Sequence, residues 1–147
     1  MKISKYELVM EKTAEYNYDK NVRCADDIVD FAVNVMKINK KDREHFLMVC
    51  VNSKLDIIAV SDEGIGDLTS APVSIREIAK TAILANAAGV FFVHNHPSED
   101  VTPSDEDIDT TKRLMKSFEI LGIKVIDHVI VGGNDFTSMR SEGCLEG

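Results

Sequence analysis

The chain alternates between short continuous apolar runs and stretches whose apolar residues recur at helical spacing. From Asp26, the series Ile28, Phe31, Ala32, Val35 and Met36 predicts a helix. Asp26 is its expected cap, acids occupy its first turn, and residues 39–42 should end it. Residues 46–51 are a continuous apolar run suited to a buried strand, Asn52-Ser53-Lys54 is a turn, and residues 55–60 return as a second strand, predicting a hairpin. The Ser61-Asp62-Glu63-Gly64 cluster reads as a turn, and Gly64-Ile65-Gly66 breaks the strand pattern. Ser74 then caps a second helix with Ile75, Ile78, Ala79, Ala82 and Ile83 as its buried stripe. Residues 90–93 lead into a strand carrying His94 and His96, which Pro97 ends. After the loop, Ile108, Thr111, Met115 and Phe118 mark a third helix that opens at Ser104 and stops at Gly122. Residues 124–131 form a strand, Gly132-Gly133-Asn134 a hairpin turn, and residues 136–139 the closing strand. Residues 6–12 fit a strand or a helical turn equally, residues 16–21 read as a loop, and residues 141–147 are expected to fray. This order predicts one α/β domain, a central mixed sheet with helices packed against it.

Composition narrows the function classes. A chain of 147 residues, 44% hydrophobic and 29% charged, is the size of one ordinary domain and globular in character. No repeat or linker divides it, so residues 1–147 are taken as one domain with a core of about 26–140. With 17 basic against 25 acidic side chains, the net charge of −8 disfavours direct binding to nucleic acid phosphates. Cys24, Cys50 and Cys144 are widely spaced without a CxxC, which suggests neither a disulfide framework nor a thiolate metal site and fits the cytoplasm. The most apolar stretch, residues 82–93, is interrupted by Asn86 and too short to span a bilayer, and no signal peptide is expected.

The candidate chemistry lies between residues 90 and 107. His94 and His96, one residue apart on an extended segment, share a side because strand side chains alternate. Asp107 falls in the first turn of the following helix. Two imidazoles and one carboxylate would suit zinc, leaving a fourth position for water acidified toward about pH 7. Magnesium and calcium prefer shells made of oxygen. Ser104 and Asp107 also form a plain capping box, as do Ser74 and Glu77, and His-x-His by itself is a common pattern.

The ordered set of His94-x-His96, seven residues, Ser104, two residues and Asp107 resembles the signature of the JAB/MPN (JAMM) metal-dependent peptidases. His94-Asn95-His96-Pro97-Ser98, Leu121-Gly122-Ile123 and Asp127-His128 followed by Val-Ile-Val-Gly132 resemble its bacterial RadC branch, from about residue 44 to 139. The resemblance implies a single RadC-like domain with the JAB/MPN, cytidine-deaminase-like architecture. It also implies one zinc ion per chain on His94, His96 and Asp107, an oxyanion role for Ser104, and an upstream glutamate that handles protons. Glu44, in Arg43-Glu44-His45-Phe46, matches the RadC segment that begins the first core strand; Glu63 and Glu77 are its rivals. A peptide or isopeptide hydrolase is the implied function. A non-catalytic interaction module on the same fold, or an accessory protein of DNA repair, is the alternative. Larger RadC relatives carry an N-terminal helix-hairpin-helix segment that is not recognisable in these residues. The adjacent His-Asn-His is not an HNH nuclease motif, and a deaminase would need the missing PCxxC thiolates. His128 either orients a ligand or is a satisfied structural histidine, and His45, on the opposite face of its strand from Glu44, is taken as structural. Glu99 stands where RadC proteins commonly carry glycine. It strains the loop if that position needs a positive φ, and otherwise adds negative charge at the mouth of the site.

Overall fold

The computed structural model describes residues 1–7, 9–65 and 74–146. Among these residues five strands form one sheet in the order β2-β1-β3-β4-β5: β1 His45–Val51, β2 Ile57–Ile65, β3 Gly89–Asn95, β4 Lys124–Gly132 and β5 Asp135–Ser138. Only β3 and β4 run parallel, joined by α3 (Asp105–Ile120); the other neighbours are antiparallel. The helix α1 (Ala25–Asp30) precedes the sheet, and α2 (Ile75–Leu84) lies between β2 and β3. The predicted α/β domain with a mixed central sheet is therefore the observed one. Among the described residues no helix is long and apolar enough to cross a membrane.

Period-two alternation divides the core between two faces. Leu47, Val49, Val51, Phe91 and Val93 pack with Ile28, Phe31, Ala32 and Ile38, whereas Phe46, Met48, Cys50, Val90 and Phe92 pack with α2 and α3. In β4 the pairing with β3 slips between Val90 and Phe91, so that Val90 meets Val125 while Phe91 meets Asp127. This extra residue lets Val125 and His128, three apart, both lie toward α3.

Several local boundaries differ from expectation. Cys24 rather than Asp26 stands at the N-cap position of the first helix, without a side-chain cap bond, and the Asp27 carboxylate reaches back to accept the Arg23 N–H at 2.8 Å. Its end comes early: residues 31–35 widen into a π-helical turn, Lys37 is left-handed and Ile38–Lys40 form a 3-10 turn. The expected turn at residues 61–64 is absent, because β2 continues through Ile65 by pairing with His45. Cross-strand hydrogen bonding to a buried neighbour overrides turn propensity there. Gly66, the second glycine of that expected break, lies outside the described residues. In α2, Ile78, Ala79 and Ala82 are buried but Ile83 is 51% exposed, since a helix touching one sheet face buries a narrower stripe than predicted. Residues 141–145 do not fray as expected, and Gly147 lies outside the described residues. They fold into turns held by Glu142 N–H to Ser138 C=O and Cys144 N–H to Met139 C=O.

The helix α3 ends as predicted. Gly122 has φ +73°, its N–H donates to the Glu119 carbonyl, and the Ile123 N–H donates to that of Phe118, with Phe118 and Ile123 both buried in the same core. A Cβ at Gly122 would meet nothing within 4 Å, so only backbone strain opposes a side chain. Gly122→Ala is expected to lower unfolding free energy by about 1 kcal/mol, read by urea denaturation.

Candidate metal centre

Alternation along β3 puts His94 on the same face as Phe92, beneath α3. His96 lies one residue past the end of β3, yet its N–H donates to the Val131 carbonyl at 2.8 Å, continuing the pairing to β4. Both rings therefore meet on one side, with Nε2 of His94 2.8 Å from Nε2 of His96. Two neutral nitrogen lone pairs repel at that separation. The contact is attractive only with a proton or a cation between them.

The third group arrives from α3. The buried stripe of that helix is Asp107, Thr111, Leu114 and Phe118, with Ile108 and Met115 only half-buried beside it. This is the predicted stripe rotated toward Asp107, so a carboxylate occupies the first core-facing position. Its Oδ1 lies 3.5 Å from His94 Nε2 and its Oδ2 3.5 Å from His96 Nε2. The ligating atoms of His94, His96 and Asp107 all fall within 4.8 Å of one another, a set that could hold a metal ion. Burial alone would raise the Asp107 pKa. Hydrogen bonds from both imidazoles and from Ser104 N–H outweigh that and hold the carboxyl well below the usual carboxylate range. For His96 the hydrogen bond to Asp107 outweighs partial burial and raises its pKa.

The capping box is present as well: Asp107 N–H donates to Ser104 Oγ at 3.1 Å, and Ser104 N–H donates to Asp107 Oδ2 at 2.9 Å. The same carboxylate thus closes the helix and faces the imidazoles. Cap and cluster are one feature, not alternatives.

Among the described residues Glu44 is the glutamate within ion-pair distance of the cluster, 3.8 Å from His96 Nε2, with its side chain 26% exposed. The rivals lie elsewhere. Glu63 sits on β2 rather than in a solvated turn, half-buried near Thr81 and Glu77, and burial raises its pKa. Glu77 donates its backbone N–H to Ser74 Oγ, but its carboxylate pairs with Lys80 at 3.0 Å, so only half of that capping box forms. His45 is an edge contact, its Nδ1 2.6 Å from Asp62 Oδ2 across β1 and β2.

Supporting contacts surround the cluster, and that of Asn95 was not foreseen from sequence. Asn95, 2% exposed, accepts the His45 N–H at 2.7 Å and donates to the Arg43 carbonyl at 2.9 Å, clamping both sides of Glu44. No local pattern in the sequence marks Asn95 for this role. His96 Nδ1 is 2.6 Å from the Asp100 carbonyl; a carbonyl only accepts, so in the neutral ring Nδ1 carries the proton and Nε2 holds the lone pair. The chain returns to make this contact through Glu99, whose φ is +70°. That is the strained case anticipated for a glutamate at a glycine position. His128 is fully buried, its Nε2 2.6 Å from His94 Nδ1 and its Nδ1 2.5 Å from Thr111 Oγ1. Burial pushes its pKa well below the ordinary value, so the ring is neutral.

A polar crevice of about 60 Å³ opens beside His96 between Asn39, Lys41, Pro97, Glu99 and Gly132. A larger groove of about 580 Å³ lies at the C-terminal end of α3, lined by Lys112, Lys116, Lys124 and Arg140, and includes none of the cluster. Convergence of donors, not volume, locates the candidate centre.

The family model for the RadC-like JAB domain matches residues 22–144. A UPF0758 protein of Desulforamulus reducens is 45% identical over 124 residues, covering 84% of this chain and 54% of that relative. A UPF0758 protein of Geobacillus thermodenitrificans is 41% identical over 128 residues, covering 87% and 56%. One of Staphylococcus aureus is 44% identical over 137 residues, covering 93% and 59%. The chain thus spans little more than half the length of these relatives.

Two stability measurements check the supporting contacts. Asn95→Ala should lower unfolding free energy by about 1–3 kcal/mol, because it strands a backbone donor and acceptor beside Glu44. Glu99→Gly should raise it by about 1 kcal/mol by relieving the left-handed backbone, read as a higher denaturation midpoint.

Proposed function

Because the chain belongs to the RadC-like JAB domain family, we propose that it is a zinc-dependent hydrolase of amide bonds, peptide or isopeptide, with a peptide or protein as substrate. One observation carries this reading: a nearly closed three-donor cluster of His94, His96 and Asp107 adjoins a carboxylate, Glu44, that still reaches solvent. The donor set fits zinc. It combines two imidazole nitrogens, one of them with its lone pair fixed by the Asp100 carbonyl, with a single carboxylate held ionised. When bound, zinc would supply Lewis acidity, lowering the pKa of water and polarising a carbonyl.

The chain's own residues account for the remaining steps. Glu44, 3.8 Å from His96 and partly solvated, would take the proton of the attacking water and return it to the departing amine nitrogen. Ser104 Oγ already accepts the Asp107 N–H, which leaves its own proton free to donate to a developing oxyanion. The two bonds of the Asn95 side chain, to the backbones of His45 and Arg43, would keep Glu44 at the cluster's edge. Asp107, tied to the first turn of α3, would keep the donor set compact.

Protein purified without chelator should bind about one equivalent of zinc, and His96→Ala, which removes one of three ligands, should lose stoichiometric binding. At matched zinc occupancy, Glu44→Gln should hydrolyse peptide or isopeptide reporters about 10²- to 10⁴-fold more slowly than the parent protein. Equal rates would instead support a non-catalytic module. Zinc affinity should also depend on pH. His96 holds its proton more tightly than an ordinary imidazole, so affinity should be full above its raised pKa and fall as pH drops through it. Competition with a chromophoric chelator across a pH series reads this directly.

A further inference from the structure

The contacts behind His94 form an unbroken row. Thr111 Oγ1 lies 2.7 Å from the Asp107 carbonyl oxygen and 2.5 Å from His128 Nδ1; His128 Nε2 lies 2.6 Å from His94 Nδ1; and His94 Nε2 lies 2.8 Å from His96 Nε2. Thr111, His128 and His94 are all buried, so each proton in the row must be given to a protein acceptor. The Thr111 hydroxyl has one proton and two strong acceptors in reach, with Met139 Sδ a weak third at 4.0 Å. That choice fixes every link beyond it.

Two arrangements satisfy the row with the same number of protons. In one, Thr111 donates to His128 Nδ1, His128 Nε2–H donates to His94 Nδ1, and His94 Nε2–H donates to the lone pair of His96. In the other, Thr111 donates to the Asp107 carbonyl, His128 Nδ1–H donates to Thr111 Oγ1, and His94 Nδ1–H donates to His128 Nε2. Only the second leaves His94 Nε2 with a lone pair directed at the cluster. Exchanging them moves protons within the row and changes the charge of no residue in it.

We propose that Thr111 and His128 are positioning residues forming a reversible hydrogen-bond chain behind His94, and that a divalent metal at the cluster selects the polarity in which His94 offers its Nε2 lone pair. The inference rests on the reading of His94, His96 and Asp107 as metal ligands and assigns the chain's two ends. Asp107 contributes twice, by its carboxylate in the cluster and by its main-chain carbonyl as the alternative acceptor for Thr111. The helix thus supplies a parking place for the proton that His94 must give up. A back-bonded threonine in a helix is ordinarily a minor local feature. Here it sets the tautomer of a histidine two links away.

The test reads His128, which touches no metal. Long-range proton–nitrogen correlation spectra of nitrogen-15-labelled protein, recorded alkaline of the imidazole titrations, report the tautomer of each histidine with and without zinc. The expected result is His128 protonated on Nε2 in metal-free protein and on Nδ1 once zinc is added, with His94 moving in step. The same His128 tautomer in both samples would overturn the proposal, as would Nδ1–H in the metal-free sample. Thr111→Val removes the switch and should weaken zinc binding about 10- to 100-fold, whereas Thr111→Ser should restore it. Unchanged affinity in a folded Thr111→Val protein would also overturn it. If that variant does not fold, the spectra of the parent protein decide alone. Failure of the ligand assignment is seen separately, as parent protein that takes up no zinc, and the metal-free spectrum still tests the chain.

Discussion

Everything at the candidate centre follows from the cost of burying an imidazole. His94 is 1% exposed between sheet and helix, where an unsatisfied ring nitrogen would cost on the order of 1–3 kcal/mol. Both of its nitrogens therefore need partners, and neither neighbour is incidental: His128 stands behind it and His96 with Asp107 before it. Satisfying one buried group commits α3 and β4 to their placement. The aromatic neighbours, Phe46 and Phe92 stacked at 5.2 Å and each edge-on to His128, exclude water from this row and leave protein groups as its acceptors.

That requirement explains why structural and chemical roles coincide in single residues. Asp107 closes the first turn of α3 and faces both imidazoles, so the helix cannot begin elsewhere without emptying the cluster. Asn95 sits between the two histidines but points to the other flank, where it fastens the segment bearing Glu44 to the start of β1. Glu99 accepts a left-handed backbone so that Asp100 can return to His96. Strain of this kind persists where surrounding contacts over-determine it, and it borders the candidate site rather than some remote loop. Gly132 supports the same loop, since a Cβ there would come within 3.0 Å of the Glu99 backbone.

Membership of the RadC-like JAB domain family and the donor cluster agree on what this region can bind, while the relatives' names carry no reaction. In the proposed hydrolase, a partly solvated Glu44 at the edge of the donor set would be placed for proton transfer.

By itself the sequence determined the element order, the two-faced sheet, the shared side of His94 and His96, and the place of Asp107 in the first turn of α3. Alternation by two on a strand and a capping residue at a helix start are local rules, and local rules are written in neighbouring residues. Glu44, the site's proton carrier in this reading, was legible only by resemblance, because its relation to His96 spans the pairing of β1 with β3. Tertiary structure alone decided the rest. The slip in β4 that turns His128 toward α3, the rotation of the α3 stripe toward Asp107, the extension of β2 through Glu63 and the clamp of Asn95 on Arg43 and His45 each join residues far apart in the chain. Their cause is the need to satisfy buried polar groups in three dimensions, and no short window of sequence contains both partners.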